Sequence, residues 1–165
     1  MYKRQAGDHL HLDIAERYRA HFFSSNEAPS SLFDGAREVI EGLRDRDYLL
    51  AVATGKGRSG LDYALQTTGL GEFFHVTRTA DETFSKPHPE MLHQILDQFG
   101  LPPAQALMIG DTEYDLQMAA NARMPSLGVD YGVHERERLL KHQPLACLGD
   151  IKEIPTWLEK IQSSD

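Results

Sequence analysis

The chain has 165 residues, 41% hydrophobic and 25% charged, which suits a single globular domain with a proper core and excludes a disordered or fibrous chain. Lysine and arginine number 17 against 25 aspartates and glutamates, and the formal net charge of −8 opposes long-range attraction to nucleic acid or anionic lipid. It is neutral towards a small phosphate ester, because a buried site answers to its local lysines, amides and metal. The lone cysteine, Cys147, rules out an intrachain disulfide, argues against a Cys-based zinc site and fits a reducing compartment. The opening Met1 to Asp8 carries basic residues with no apolar run behind them, and no window approaches the length of a membrane span. These features predict a cytoplasmic protein with neither a nucleic-acid nor a membrane partner.

In chain order, Leu12, Ile14, Ala15, Tyr18, Phe22 and Phe23 fall at helical spacing between Leu10 and Ser24. The polar stretch from Ser24 to Ser31 breaks that pattern and marks a boundary. Ala36 to Arg44 reads as a helix with Val39, Ile40 and Leu43 on one face, punctuated by Asp45-Arg46-Asp47. Tyr48 to Ala53 is a continuous apolar run, the pattern of a strand covered on both faces. Ser59 to Thr68 returns to helix and stops at Gly69, a natural C-terminal cap. Phe73 to Thr79 and Ala106 to Ile109 read as further strands, separated by a helix from Pro89 to Phe99. Glu113 to Arg123 is a helix, Ser126 to Val129 a strand, and Glu135 to His142 and Ile151 to Ile161 closing helices, with a minor strand at Leu145 to Leu148. Short apolar strands alternating with helices predict an α/β fold with a doubly wound, Rossmann-like parallel sheet.

Ligands of such sheets bind at the carboxyl ends of the strands. Three segments end there with polar groups. Val52-Ala53-Thr54-Gly55 offers a hydroxyl and a bare backbone amide that can donate to a phosphoryl oxygen; it can equally be a plain turn. Ser85-Lys86-Pro87-His88-Pro89 holds a lysine biased towards extended backbone by the proline after it. Such a lysine could neutralise a phosphate, although a solvated loop lysine is the commoner case. Gly110-Asp111-Thr112-Glu113-Tyr114-Asp115 places two carboxylates four apart across a strand-to-helix turn, where they could hold a hard cation or cap the helix.

Taken in order, strand-Thr-Gly, Ser-Lys-Pro-His-Pro-Glu and strand-Gly-Asp-Thr-x-x-Asp resemble the haloacid dehalogenase-like superfamily from about Leu32 to the C-terminus. The pieces Phe33-Asp34-Gly35, Asp81 to Pro89 and Tyr131 to Glu135 look most like its phosphoglycolate phosphatase group. The resemblance implies that Thr54 and the Gly55 amide bind the transferring phosphoryl group and that Lys86 neutralises it. It makes Asp111 a Mg²⁺ ligand, with Asp115 supporting the metal through water or orienting its partners. It also implies hydrolysis of a small phosphorylated metabolite through an aspartyl-phosphate.

One part of the pattern is missing. The family carries Asp-x-Asp-Gly-Thr after an apolar first strand, and no such string occurs here. Leu32-Phe33-Asp34-Gly35-Ala36 is a partial echo that sits where the family has the linker from its helical cap. The expectation is therefore a core at residues 32–165 that lacks its central first strand, preceded at residues 1–31 by a remnant of cap and linker. On that reading the chain is N-terminally truncated and inactive as it stands. The strands ending at Thr54 and Asp111 would have no shared neighbour. The alternative is a non-catalytic phosphate- and Mg²⁺-binding module, or an interaction protein, that lacks the nucleophile by nature.

Overall fold

The computed structural model describes residues 32–163. The helix expected between Leu10 and Ser24, and with it the expected cap remnant, lies outside the described residues. Helix α1 (Ala36–Arg44) follows Gly35, whose φ of 81° places it in the left-handed region that glycine occupies without penalty. The chain then forms β1 (Ala51–Thr54), α2 (Arg58–Thr68), β2 (Val76–Thr79), α3 (Glu90–Phe99) and β3 (Met108–Gly110). It continues through α4 (Glu113–Asn121), β4 (Ser126–Val129), α5 (Arg136–Leu140), β5 (Cys147–Leu148) and α6 (Ile154–Gln162). Gly69 and Gly100 end α2 and α3 in the left-handed conformation, as glycine just past a helix does.

All strand pairs are parallel, but among the described residues the strands form two sheets rather than one. β1 pairs with β2, from Ala51 opposite Val76 to Thr54 opposite Thr79. β3, β4 and β5 form the second sheet in that order. Helices cover both faces and tie the two sheets together. On one side Met91, Leu92, Ile95 and Leu96 of α3 and Met118 and Ala119 of α4 pack with Val76, and Ala51, Ala53 and Met108 lean on the same core. On the other side Val39 and Leu43 of α1 pack with Leu127, Leu148 and Ile154, joined by Leu50, Leu107 and Ile109. β1 and β3 thus contribute alternate residues to cores shared across the break, the period-two geometry of strands in a covered sheet. The α/β fold holds as expected. Among the described residues the strands ending at Thr54 and before Asp111 have no common neighbour.

The boundaries differ from the sequence pattern in instructive places. The run from Tyr48 gives a strand only from Ala51, with Leu49 49% exposed. Tyr48 is instead held in the turn after α1, where its amide donates to the Leu43 carbonyl at 3.1 Å. The segment from Phe73 starts as a single 3₁₀ turn, Gly71–Phe73, and becomes a strand only at Val76. The minor strand at Leu145 to Leu148 shortens to Cys147–Leu148. Among the described residues no helix is long and apolar enough to cross a membrane.

Candidate active site

The turn after β1 is built by Thr54, whose Oγ1 accepts the Lys56 amide hydrogen at 3.1 Å. That side-chain-to-backbone bond two residues along closes the turn locally, and a Cβ placed at Gly55 would meet open space. Thr54 itself is half-buried at the carboxyl end of its strand, paired with the fully buried Thr79.

Lys86 comes from the loop after β2, where its peptide bond to Pro87 is cis. Its Nζ donates to Asp115 Oδ1 at 2.5 Å, with the lysine side chain 18% and the aspartate 5% exposed. The same loop is held a second time by Asn121 at the end of α4, whose Nδ2 donates to the Pro87 carbonyl at 2.9 Å. A lysine and an aspartate 29 positions apart in sequence therefore meet at one point, and the β2 loop is fixed to α4.

Asp115 also closes a capping box. Its Oδ2 accepts from the Thr112 amide at 3.1 Å and from the Thr112 hydroxyl at 2.7 Å, while Thr112 Oγ1 accepts from the Asp115 amide. The capping function and the contact with Lys86 are met by one side chain. Gly110 is required by this geometry: a Cβ there would lie 2.2 Å from Cβ of Asp115.

Asp111 follows β3 directly and is held by the loop after β4. Val133 donates its amide to Asp111 Oδ2 at 3.0 Å, and the His134 amide donates to the Asp111 carbonyl at 3.0 Å. The His134 ring accepts the Glu113 amide at Nδ1, 3.0 Å away, so the turn from Asp111 to Glu113 is gripped on both sides. Gly132 is glycine because its backbone passes against the carboxylate; a Cβ would sit 2.2 Å from Asp111 Oδ2. Nearby, burial first, then the Asp111 and Asp150 charges, push the Tyr131 phenol up to about 12. Arg138 clasps Glu113 and holds its carboxyl down at about 2.

Asp111 and Asp115 supply oxygens of the kind a hard cation takes. Asp115, however, gives one oxygen to Lys86 and the other to Thr112. No group of three or more His, Cys, Asp or Glu side chains close enough to hold an ion occurs among the described residues. The described residues thus fall short of a complete cation site. Asp34, the echo of the family's nucleophile motif, is 92% exposed and ion-paired with Lys152 in the hollow of about 430 Å³ between α1 and α6. Neither that hollow nor its neighbour of about 470 Å³ beside Trp157 is lined by Thr54, Lys86 or Asp111.

Reading the sequence singled out Thr54, Gly55, Lys86, Asp111 and Asp115, but not the Lys86–Asp115 contact or the residues that hold Asp111. Gly110 and Gly132 were the available signals, one closing β3 and the other in the loop after β4, each with a carboxylate close by.

The haloacid dehalogenase-like hydrolase family matches residues 2–129, most of the chain, and the chain belongs to that family. It is 34% identical over 129 residues to "Probable phosphatase IndB" of Dickeya dadantii (strain 3937), covering 78% of this chain and 56% of that protein. It is 30% identical over 143 residues to "Pyrophosphatase PpaX" of Bacillus pumilus (strain SAFR-032), covering 86% of this chain and 66% of that one. The chain spans between about half and two thirds of the length of these curated relatives. In fold it matches the crystal structure of "a predicted phosphoglycolate phosphatase from haemophilus somnus 129pt", with a TM-score of 0.80 at 24% identity over 94% of this chain and 69% of that one.

Proposed function

We propose that these residues form most of the active site of a phosphatase that hydrolyses a small phosphomonoester. Thr54 and the Gly55 amide would bind the phosphoryl group, and Lys86 would neutralise it. Asp111 would hold Mg²⁺ together with donors from outside the described residues, and Asp115 would fix Lys86 rather than bind the ion directly. The observation that carries the reading is the Lys86–Asp115 ion pair, which draws the β2 loop to the turn after β3 at the carboxyl ends of the strands. Phosphatase and pyrophosphatase names among the relatives support a phosphate-bearing substrate. Among the described residues β1 and β3 each have one edge with no strand beside it, and in this reading one more parallel strand between them would carry the carboxylate nucleophile. Neither Asp34 nor any other described residue fills that position in this reading, so residues 32–163 alone are proposed to be inactive.

The test is phosphate release from a panel containing phosphoglycolate, sugar phosphates and pyrophosphate, with and without Mg²⁺. The protein is expressed with whatever coding sequence lies in frame upstream of Met1 in the source DNA. Mg²⁺-dependent release that is lost on Lys86→Ala supports the reading. No release from any ester overturns it.

The exposed, ion-paired state of Asp34 favours one alternative, a phosphate-binding module without a nucleophile. Calorimetry of the chain with inorganic phosphate and Mg²⁺ separates the two. Binding without turnover by the longest in-frame protein moves the conclusion to the module.

A further inference from the structure

The turn from Thr54 to Gly57 is held from a distance by the loop after β2. Helix α2 begins at Arg58, yet its N-cap residue, Gly57, has no side chain to cap it. Asp81 does so instead: both of its carboxylate oxygens lie 3.0 Å from the Arg58 amide nitrogen. Its Oδ1 also accepts from the hydroxyl of the fully buried Thr79 at 2.6 Å. Gly57 passes close enough that a Cβ would lie 3.0 Å from Asp81 Oδ2. The Ala80 amide donates to the Lys56 carbonyl at 3.2 Å, adding a backbone bond between the same two segments. Glu82 completes the latch. It takes Arg58 Nε at 2.9 Å and Nη2 at 2.7 Å, and it accepts the Thr79 amide at 3.2 Å.

Two consequences follow. The Thr54–Gly57 turn is tied to the segment that leads to Lys86, because Asp81 and Glu82 belong to that segment. The Asp81 charge also occupies the start of α2, the place where a helix would otherwise attract an anion.

Resting on the phosphate-site reading above, we propose that Asp81 is a positioning residue for that site, setting the Thr54–Gly55 turn against Lys86 without touching the phosphate. The test is the affinity of the full chain for inorganic phosphate by calorimetry, with circular dichroism confirming that each variant is folded. Asp81→Ala should weaken binding about tenfold, and Asp81→Asn, which keeps an acceptor oxygen for the Arg58 amide, should stay within about threefold of wild type. On a Thr54→Ala background, Asp81→Ala should add little, since residues acting through one network are non-additive. A purely structural role would leave the two substitutions additive. Unchanged or tighter binding by Asp81→Ala, or additive effects, overturns the proposal while Lys86→Ala still abolishes binding. If the longest in-frame wild-type protein binds no phosphate, or Thr54→Ala and Lys86→Ala leave binding unchanged in it, the phosphate-site reading falls and takes this inference with it.

Discussion

Strand β4 and the pair formed by β1 and β3 are built of similar residues and live in different surroundings. β4 has a parallel neighbour on each side, and all four of its residues are buried. Among the described residues β1 has a neighbour on one side only, and all four of its residues are half-exposed; two of the three in β3 are as well. Thr54 and Asp111, two of the residues proposed for chemistry, stand at the ends of the half-exposed strands, not of the buried one. Among the described residues those edges have no strand partner for their backbone amides and carbonyls, which a sheet ordinarily pairs. The well-paired half supplies the rigid frame from which the loop after β4 grips Asp111.

The largest test of that contrast is core truncation. Leu127→Ala in β4, fully buried, should cost about 3–4 kcal/mol in urea unfolding. Val52→Ala in half-exposed β1 should cost about 1 kcal/mol or less. Equal costs would show that β1 is packed as tightly as β4 and would break the comparison.

Next in size is the link between the halves. Asp115→Ala removes the partner of Lys86 and the cap of α4 together. A loss of about 2–3 kcal/mol is expected, allowing for Lys86 turning to solvent. A loss below about 1 kcal/mol in the same unfolding assay would mean that the ion pair does not join the two sheets.

Amide exchange sharpens the comparison strand by strand. The β4 amides should exchange at least about tenfold more slowly than those of β1 that face away from β2. Equal protection on both edges of β1 would require an occupant on the open side.

The smallest effect concerns Glu82, whose carboxyl Arg58 holds below the ordinary 4.5, at about 2. A depressed carboxylate contributes stability above its unfolded pKa and loses it as pH falls through the folded one. The excess thermal midpoint of wild type over Glu82→Gln should therefore be full above about pH 4.5 and fade towards pH 2. A difference that stays flat across that window would remove Arg58 as the cause.

Much of this was legible in the sequence because it rests on local patterns. Helix α1 and strand β4 fall where the apolar spacing puts them, and Gly69 and Gly100 mark helix ends because only glycine enters the left-handed region freely. Thr54, Lys86 and Asp111 could be singled out from their positions at strand ends. The start of β1 could not: the Tyr48 to Leu50 run is apolar enough for a strand, but the turn after α1 claims Tyr48 first.

What the sequence determined by itself was the alternation of strands and helices, the identity of the polar groups at the strand ends, and the absence of the Asp-x-Asp-Gly-Thr string. These follow from side-chain periodicity and residue chemistry, which act between near neighbours in the chain. Only the tertiary structure decided that Lys86 meets Asp115, that Asp81 caps a helix 23 residues upstream, and that Gly132 makes way for Asp111. Those pairings depend on which strand ends the parallel crossovers bring side by side, and no local pattern carries that information.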